Sequence, residues 1–118
     1  MRTLIVCGVL ALSVTAASAA EDIRSANYWL PRCKVLVAGD FKKMPDPPTP
    51  TMCLGMVIGI ASVLGEDPRG YWCADIPAGV TPEQLVRVVV KAIESKPELM
   101  HRKFPYLAMM ALRENWPC

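Results

Sequence analysis

Cysteine number and placement constrain this chain more than any other feature. Four cysteines, Cys33, Cys53, Cys73 and Cys118, follow an apolar leader, and the last is the final residue. The leader "MRTLIVCGVLALSVTAASAA" has one early cation, Arg2, an apolar run from Leu4, and a small-residue stretch ending in Ala17-Ser18-Ala19. That is the layout of a secretory signal peptide, expected to occupy residues 1–20 and to be removed after Ala19 or Ala20. A membrane anchor is the alternative, but the run is short for the ~20 apolar residues of a span. Cys7 goes with the leader, and Val6 before it makes a poor lipidation site. In an oxidising compartment, an even cysteine count in a small domain reads as two disulfides.

The remainder, residues 21–118, suits one domain. Domains of this size have marginal cores, and exported ones are often cross-linked. There is no C-x-x-C pair, which argues against a thioredoxin-like site and against structural zinc. The chain's formal charge is +2, with charges scattered rather than gathered into a basic stripe. Neither nucleic acid nor an anionic membrane is therefore an expected partner. His101 is the single histidine, and Asp67, Asp75, Glu83, Glu94 and Glu98 are dispersed. No acid, base and nucleophile stand at workable spacing, so neither catalysis nor a cofactor or metal is expected.

Hydrophobic periodicity predicts an all-α bundle of about four helices. The clearest segment is "GVTPEQLVRVVVKAIESKP", where Thr81 is an N-cap, Pro82 the first helical residue and Gln84 the far side of a capping box. Val80 and Leu85 fit a hydrophobic staple. Leu85, Val88, Val89, Ala92 and Ile93 form one apolar stripe. Val86 and Val90 widen it, either for deeper burial or for a second surface such as a dimer contact. A further helix is expected from Phe104 to Asn115, stopped by Pro117 and returning antiparallel after the short "KPELMHR" connection. "TMCLGMVIGIASVLGEDP" is apolar nearly all round and reads as a central helix, or alternatively as a buried strand. Its Gly55 and Gly59 would permit close approach of a neighbouring helix. In "IRSANYWLPRCKVLVAGD", Ser25 is a candidate cap, Pro31 an interruption or a restart, and Trp29, Leu30, Cys33 and Val37 a rough stripe. Residues 40–50 hold four prolines and read as an extended linker.

Four cysteines allow three pairings. An up-down helix order favours Cys33 with Cys53 at one pole and Cys73 with Cys118 at the other. Arg69, Tyr71 and Trp72, in the loop beside Cys73, are the candidate partner contacts, since these residue types dominate interface hot spots. Trp72 serves equally well as a cover for a disulfide. Trp116 is expected to pack over a helix end. The seven methionines suit adaptable packing; Met1 goes with the leader, and the rest sit among core-like positions.

The ordered segments "CLGMVIGI", "WCADIPAGVTPEQLVRVVVKAIESKPELMH" and "ALRENWPC" resemble the Rap/Tai family of immunity proteins. Cys53, Gly55 and Gly59 match its glycine-bearing helix, and Cys73, Gly79, Val80, Thr81, Gln84 and Leu85 match its capped helix start. Pro97, Glu98, His101, Ala111, Leu112, Pro117 and Cys118 match the remainder. The resemblance implies a helical, disulfide-bonded periplasmic protein associated with type VI secretion, often a homodimer. It further implies a non-catalytic inhibitor that blocks a peptidoglycan amidase effector. The competing expectation is a general periplasmic or secreted protein, a stress holdase or structural adaptor, with no toxin partner.

Overall fold

The start of the most amphipathic helix is fixed by two reciprocal hydrogen bonds. In the computed structural model, Gln84 N–H donates to Thr81 Oγ1 at 3.2 Å and Thr81 N–H donates to Gln84 Oε1 at 2.7 Å. The structure describes residues 22–39, 50–66, 70 and 72–118. The expected signal peptide and nearly all of the proline linker lie outside them. Four helices are described: α1 (Ala26–Ala38), α2 (Pro50–Gly65), α3 (Pro82–Glu94) and α4 (Phe104–Asn115), with a short 3-10 turn at Pro97–Leu99. There is no extended strand among the described residues. Thr81→Ala removes an acceptor from the first turn of α3, so we predict a loss of about 1 kcal/mol in chemical denaturation. An unchanged midpoint would refute the capping role.

In α3, Leu85, Val86, Val89, Val90 and Ile93 are all buried. The broad apolar stripe thus serves deeper burial within one chain rather than a second surface. Ser25 caps α1 by accepting from the Tyr28 N–H. Pro31 does not interrupt this helix; it lies inside it, exposed. The residue four before it, Asn27, is also exposed, so water can satisfy the carbonyl that Pro31 leaves without a helical donor. Gly39 closes α1 in the left-handed region, at φ 70°, which glycine adopts without a Cβ penalty. Arg32 is buried with its guanidinium carbon 3.6 Å from the centre of the Tyr28 ring. Cation–π attraction offsets part of the cost of burying that charge.

Helix α2 departs from the expectation of a central, surrounded helix. Cys53, Val57 and Leu64 face the core, but Met52, Gly55, Gly59 and Val63 are exposed, Val63 at 72%. A Cβ added at Gly55 or Gly59 would meet no atom within 4 Å. The two glycines therefore permit no close helix approach inside this chain. Each costs about 1 kcal/mol against alanine in a helix interior, with no contact here to offset it.

The connection from α3 to α4 runs along the first turn of α1. Ala26 N–H donates to Arg102 O at 2.9 Å, Asn27 N–H to Met100 O at 2.8 Å, and Phe104 N–H to Arg24 O at 2.7 Å. Beyond it, α4 brings Glu114 of its last turn to within 3.2 Å of Lys96, just past the end of α3. A plain antiparallel return would have set that turn beside the start of α3, so α4 crosses α3 instead. The core gathers where the helices meet, with Val57, Val86, Val89, Phe104 and Leu112 fully buried. None of the described methionines joins it: Met52 is exposed, and Met56, Met100, Met109 and Met110 are half-buried.

Candidate protein-binding faces

Two disulfides set the positions of the functional candidates. Cys33 and Cys53, both fully buried, are bonded between α1 and α2 with Cα atoms 5.5 Å apart. Cys73 is bonded to Cys118 across 45 residues, with Cα atoms 5.9 Å apart. This second pair lies at the surface, Cys73 half-buried and Cys118 exposed.

The backbone around Cys73 is stitched to two helices. Ala74 N–H donates to Leu64 O of α2 at 3.3 Å, and Asp75 N–H donates to Trp116 O at 2.8 Å. Ala74 also pairs with Pro117 in an isolated antiparallel bridge, and its side chain is buried. Trp116 is half-buried against the core, as its place at a helix end led one to expect. The loop residue Trp72 is 42% exposed. The Arg113 guanidinium stands 5.4 Å from its ring centre, directed there from the last turn of α4. A hollow of about 290 Å³ lies beside this pair, lined by Gly70, Cys73, Met110, Arg113 and Cys118 among others. Of the three contact candidates, Trp72 is placed on this pole, while Arg69 and Tyr71 lie outside the described residues. Sequence reasoning overlooked Arg113. Its only trace is the one-turn spacing from Met110 on α4, and nothing local connects it to a tryptophan 41 positions earlier.

A second face was also missed. An open apolar groove of about 590 Å³ runs between α2 and α4, lined by Gly55, Met56, Gly59, Val63, Tyr106 and Met109 among others. The legible signal was the 3-4-4 spacing of Met52, Gly55, Gly59 and Val63, which places them on one side of a helix. His101 is exposed in the turn before α4, near Asp22, Arg102 and Lys103. Among the described residues, no group of three or more His, Cys, Asp or Glu side chains is arranged to hold a metal ion. No described helix is long and apolar enough to cross a membrane.

Fold and surface define a small four-helix domain held by two disulfides, with one aromatic–cationic pole and one apolar flank. The family model of the Rap1a immunity proteins matches residues 25–118, and the chain belongs to that family. No curated protein and no solved structure matches the chain.

Proposed function

We propose that this protein is exported to the periplasm, where it binds and blocks a peptidoglycan-cleaving amidase delivered by type VI secretion, without catalysing a reaction itself. The observation that carries this reading is the exposed Trp72 with the half-buried Arg113 beside it, on a pole held by a disulfide, in a chain of an immunity family. Trp and Arg are the residue types most often dominant in protein interfaces. A pole stitched to α2 and α4 loses little conformational freedom on binding, which favours affinity. The half-buried Met110 beside the pair adds a surface that can adapt to a partner. Residues 1–20 would be the signal peptide and residues 21–118 the working domain, oxidised after export.

The test is capture of an amidase by the mature oxidised protein, followed by assay of peptidoglycan cleavage with and without it. Cleavage should fall in proportion to complex formed. Trp72→Ala should weaken the complex by about 30-fold, the equivalent of ~2 kcal/mol at a hot spot. An unchanged affinity in a folded variant would remove the pole from the interface. The apolar groove supports a second reading, a stress holdase that covers unfolded clients. Client aggregation assays separate the two: a holdase suppresses aggregation of unrelated proteins, whereas an immunity protein leaves it unchanged.

A further inference from the structure

The apolar groove between α2 and α4 ends in a cluster of cations, and we propose that it binds a single-chain fatty acid, with the hydrocarbon tail along α2 and the carboxylate at Lys103. The groove encloses about 590 Å³, within the ~300–1,000 Å³ of small-molecule sites. Gly55, Met56, Gly59 and Val63 line it from α2, Tyr106 and Met109 from α4, and Lys103 joins them. The fold sets its direction. Ala74 N–H donates to Leu64 O and Asp75 N–H to Trp116 O, so α2 and α4 both finish at the Cys73 pole. Lys103, immediately before α4, therefore stands at the other end of the groove. Lys103 and Tyr106 also line an adjoining hollow with Asp22, His101 and Arg102. Asp22 is the one carboxylate lining that hollow, and it is paired with Arg24 at 3.3 Å. Arg102 and Lys103 form no ion pair among the described residues, which leaves the cluster with uncompensated positive charge.

Shape, polarity and charge together select this ligand. A Cβ added at Gly55 or Gly59 would meet no atom within 4 Å, so the α2 backbone lies open along a track between the larger side chains. An unbranched methylene chain is thin enough to lie in that track, and the flexible side chains of Met56 and Met109 can close over it. Apart from Lys103 and Tyr106 the lining side chains are apolar, and the backbones of α2 and α4 are engaged within their own helices. An extended peptide would leave most of its N–H and C=O groups without partners there, a cost that a hydrocarbon does not incur. A second copy meeting the groove through α2 would bring no charge between Pro50 and Gly65, and the cations would stay without a counter-charge. A carboxylate supplies it, while the methylenes of Lys103 cover the first part of the tail. The site uses neither Trp72 nor Arg113, so it goes beyond the effector-binding reading and does not depend on it.

The test is titration calorimetry of the mature oxidised protein with octanoate, decanoate, dodecanoate and tetradecanoate, each kept below its micelle concentration. Each added methylene should tighten binding about fourfold, the transfer value of one buried CH₂, until the groove is filled. Dodecyltrimethylammonium, a tail of the same length with the opposite charge, should bind roughly tenfold more weakly than dodecanoate, or worse. Arg102→Glu combined with Lys103→Glu should weaken dodecanoate by a similar factor. Gly59→Leu should fill the track and abolish binding, yet raise the unfolding temperature, because it replaces a helix-interior glycine where there is space. Loss of binding in that variant is then not loss of fold. No measurable binding at any chain length, equal affinity for the cationic tail, or a Gly59→Leu variant that binds like wild type would overturn the proposal. So would cosedimentation with anionic phospholipid vesicles that the charge reversals abolish, since the cations would then serve a membrane surface. Effector capture is scored separately, so such a failure leaves the immunity reading standing.

Discussion

Replacing both Cys73 and Cys118 by serine should lower the free energy of unfolding by about 4 kcal/mol, the chain-entropy value for a tie that closes 45 residues. The corresponding figure for Cys33–Cys53, which closes 20 residues, is about 3 kcal/mol. The longer tie is also the cleaner experiment. Cys118 is exposed and Cys73 half-buried, so serine neither opens a core cavity nor strands a buried hydroxyl. Serine at fully buried Cys33 and Cys53 would mix loss of the tie with the cost of burying polar atoms. A domain of this size holds on the order of 5–10 kcal/mol in total, so 4 kcal/mol is a large share. Urea unfolding followed by helical circular dichroism measures it, and the slope should rise because the untied unfolded chain exposes more surface. A loss below about 1 kcal/mol would mean that the untied unfolded chain already keeps its two ends close, so that the bond removes little freedom from it.

That pole illustrates which parts of the molecule were legible in the sequence. Helix α3 was readable to the residue because its determinants are local. Thr81, Pro82 and Gln84 fix its start within four positions, and its stripe has the helical period. Helix α4 was equally plain, from Phe104 to Asn115. The orientation of α2 was not legible, because an apolar sequence with no polar side carries no indication of which side faces inward. Only the packing of α1, α3 and α4 decides that Val57 is buried and Val63 exposed. The methionines misled for the same reason: their hydropathy suits a core, but in the fold they line its margins. Arg113 beside Trp72 depends on a crossing of α4 that no local pattern encodes. Pro31 gave a false stop, since a proline on an exposed turn leaves only a carbonyl that water can reach.

Phe104→Ala should be the most destabilising single substitution, at 3–5 kcal/mol. Phe104 is fully buried and is the largest such side chain in the core. Its ring centre lies 6.1 Å from that of Trp29, so truncation opens a cavity against an aromatic neighbour that cannot collapse into it. Position compounds the effect. Phe104 begins α4, and its N–H donates to Arg24 O at 2.7 Å, so the same residue anchors the helix start to the segment preceding α1. The emission of Trp29, isolated in a background with Trp72→Phe and Trp116→Phe, is a natural probe, since loosening around Phe104 admits water to a side chain that is only 7% exposed. A red shift below the main unfolding transition is expected in Phe104→Ala and not in Phe104→Leu, which keeps most of the volume and should cost about 1.5 kcal/mol or less. Phe104 touches neither proposed face, so effector affinity per folded molecule should match wild type in Phe104→Leu. If affinity fell while stability held, the core of α4 would be transmitting its position to Arg113 at its far end, and the pole would have to be treated as a movable part of the fold.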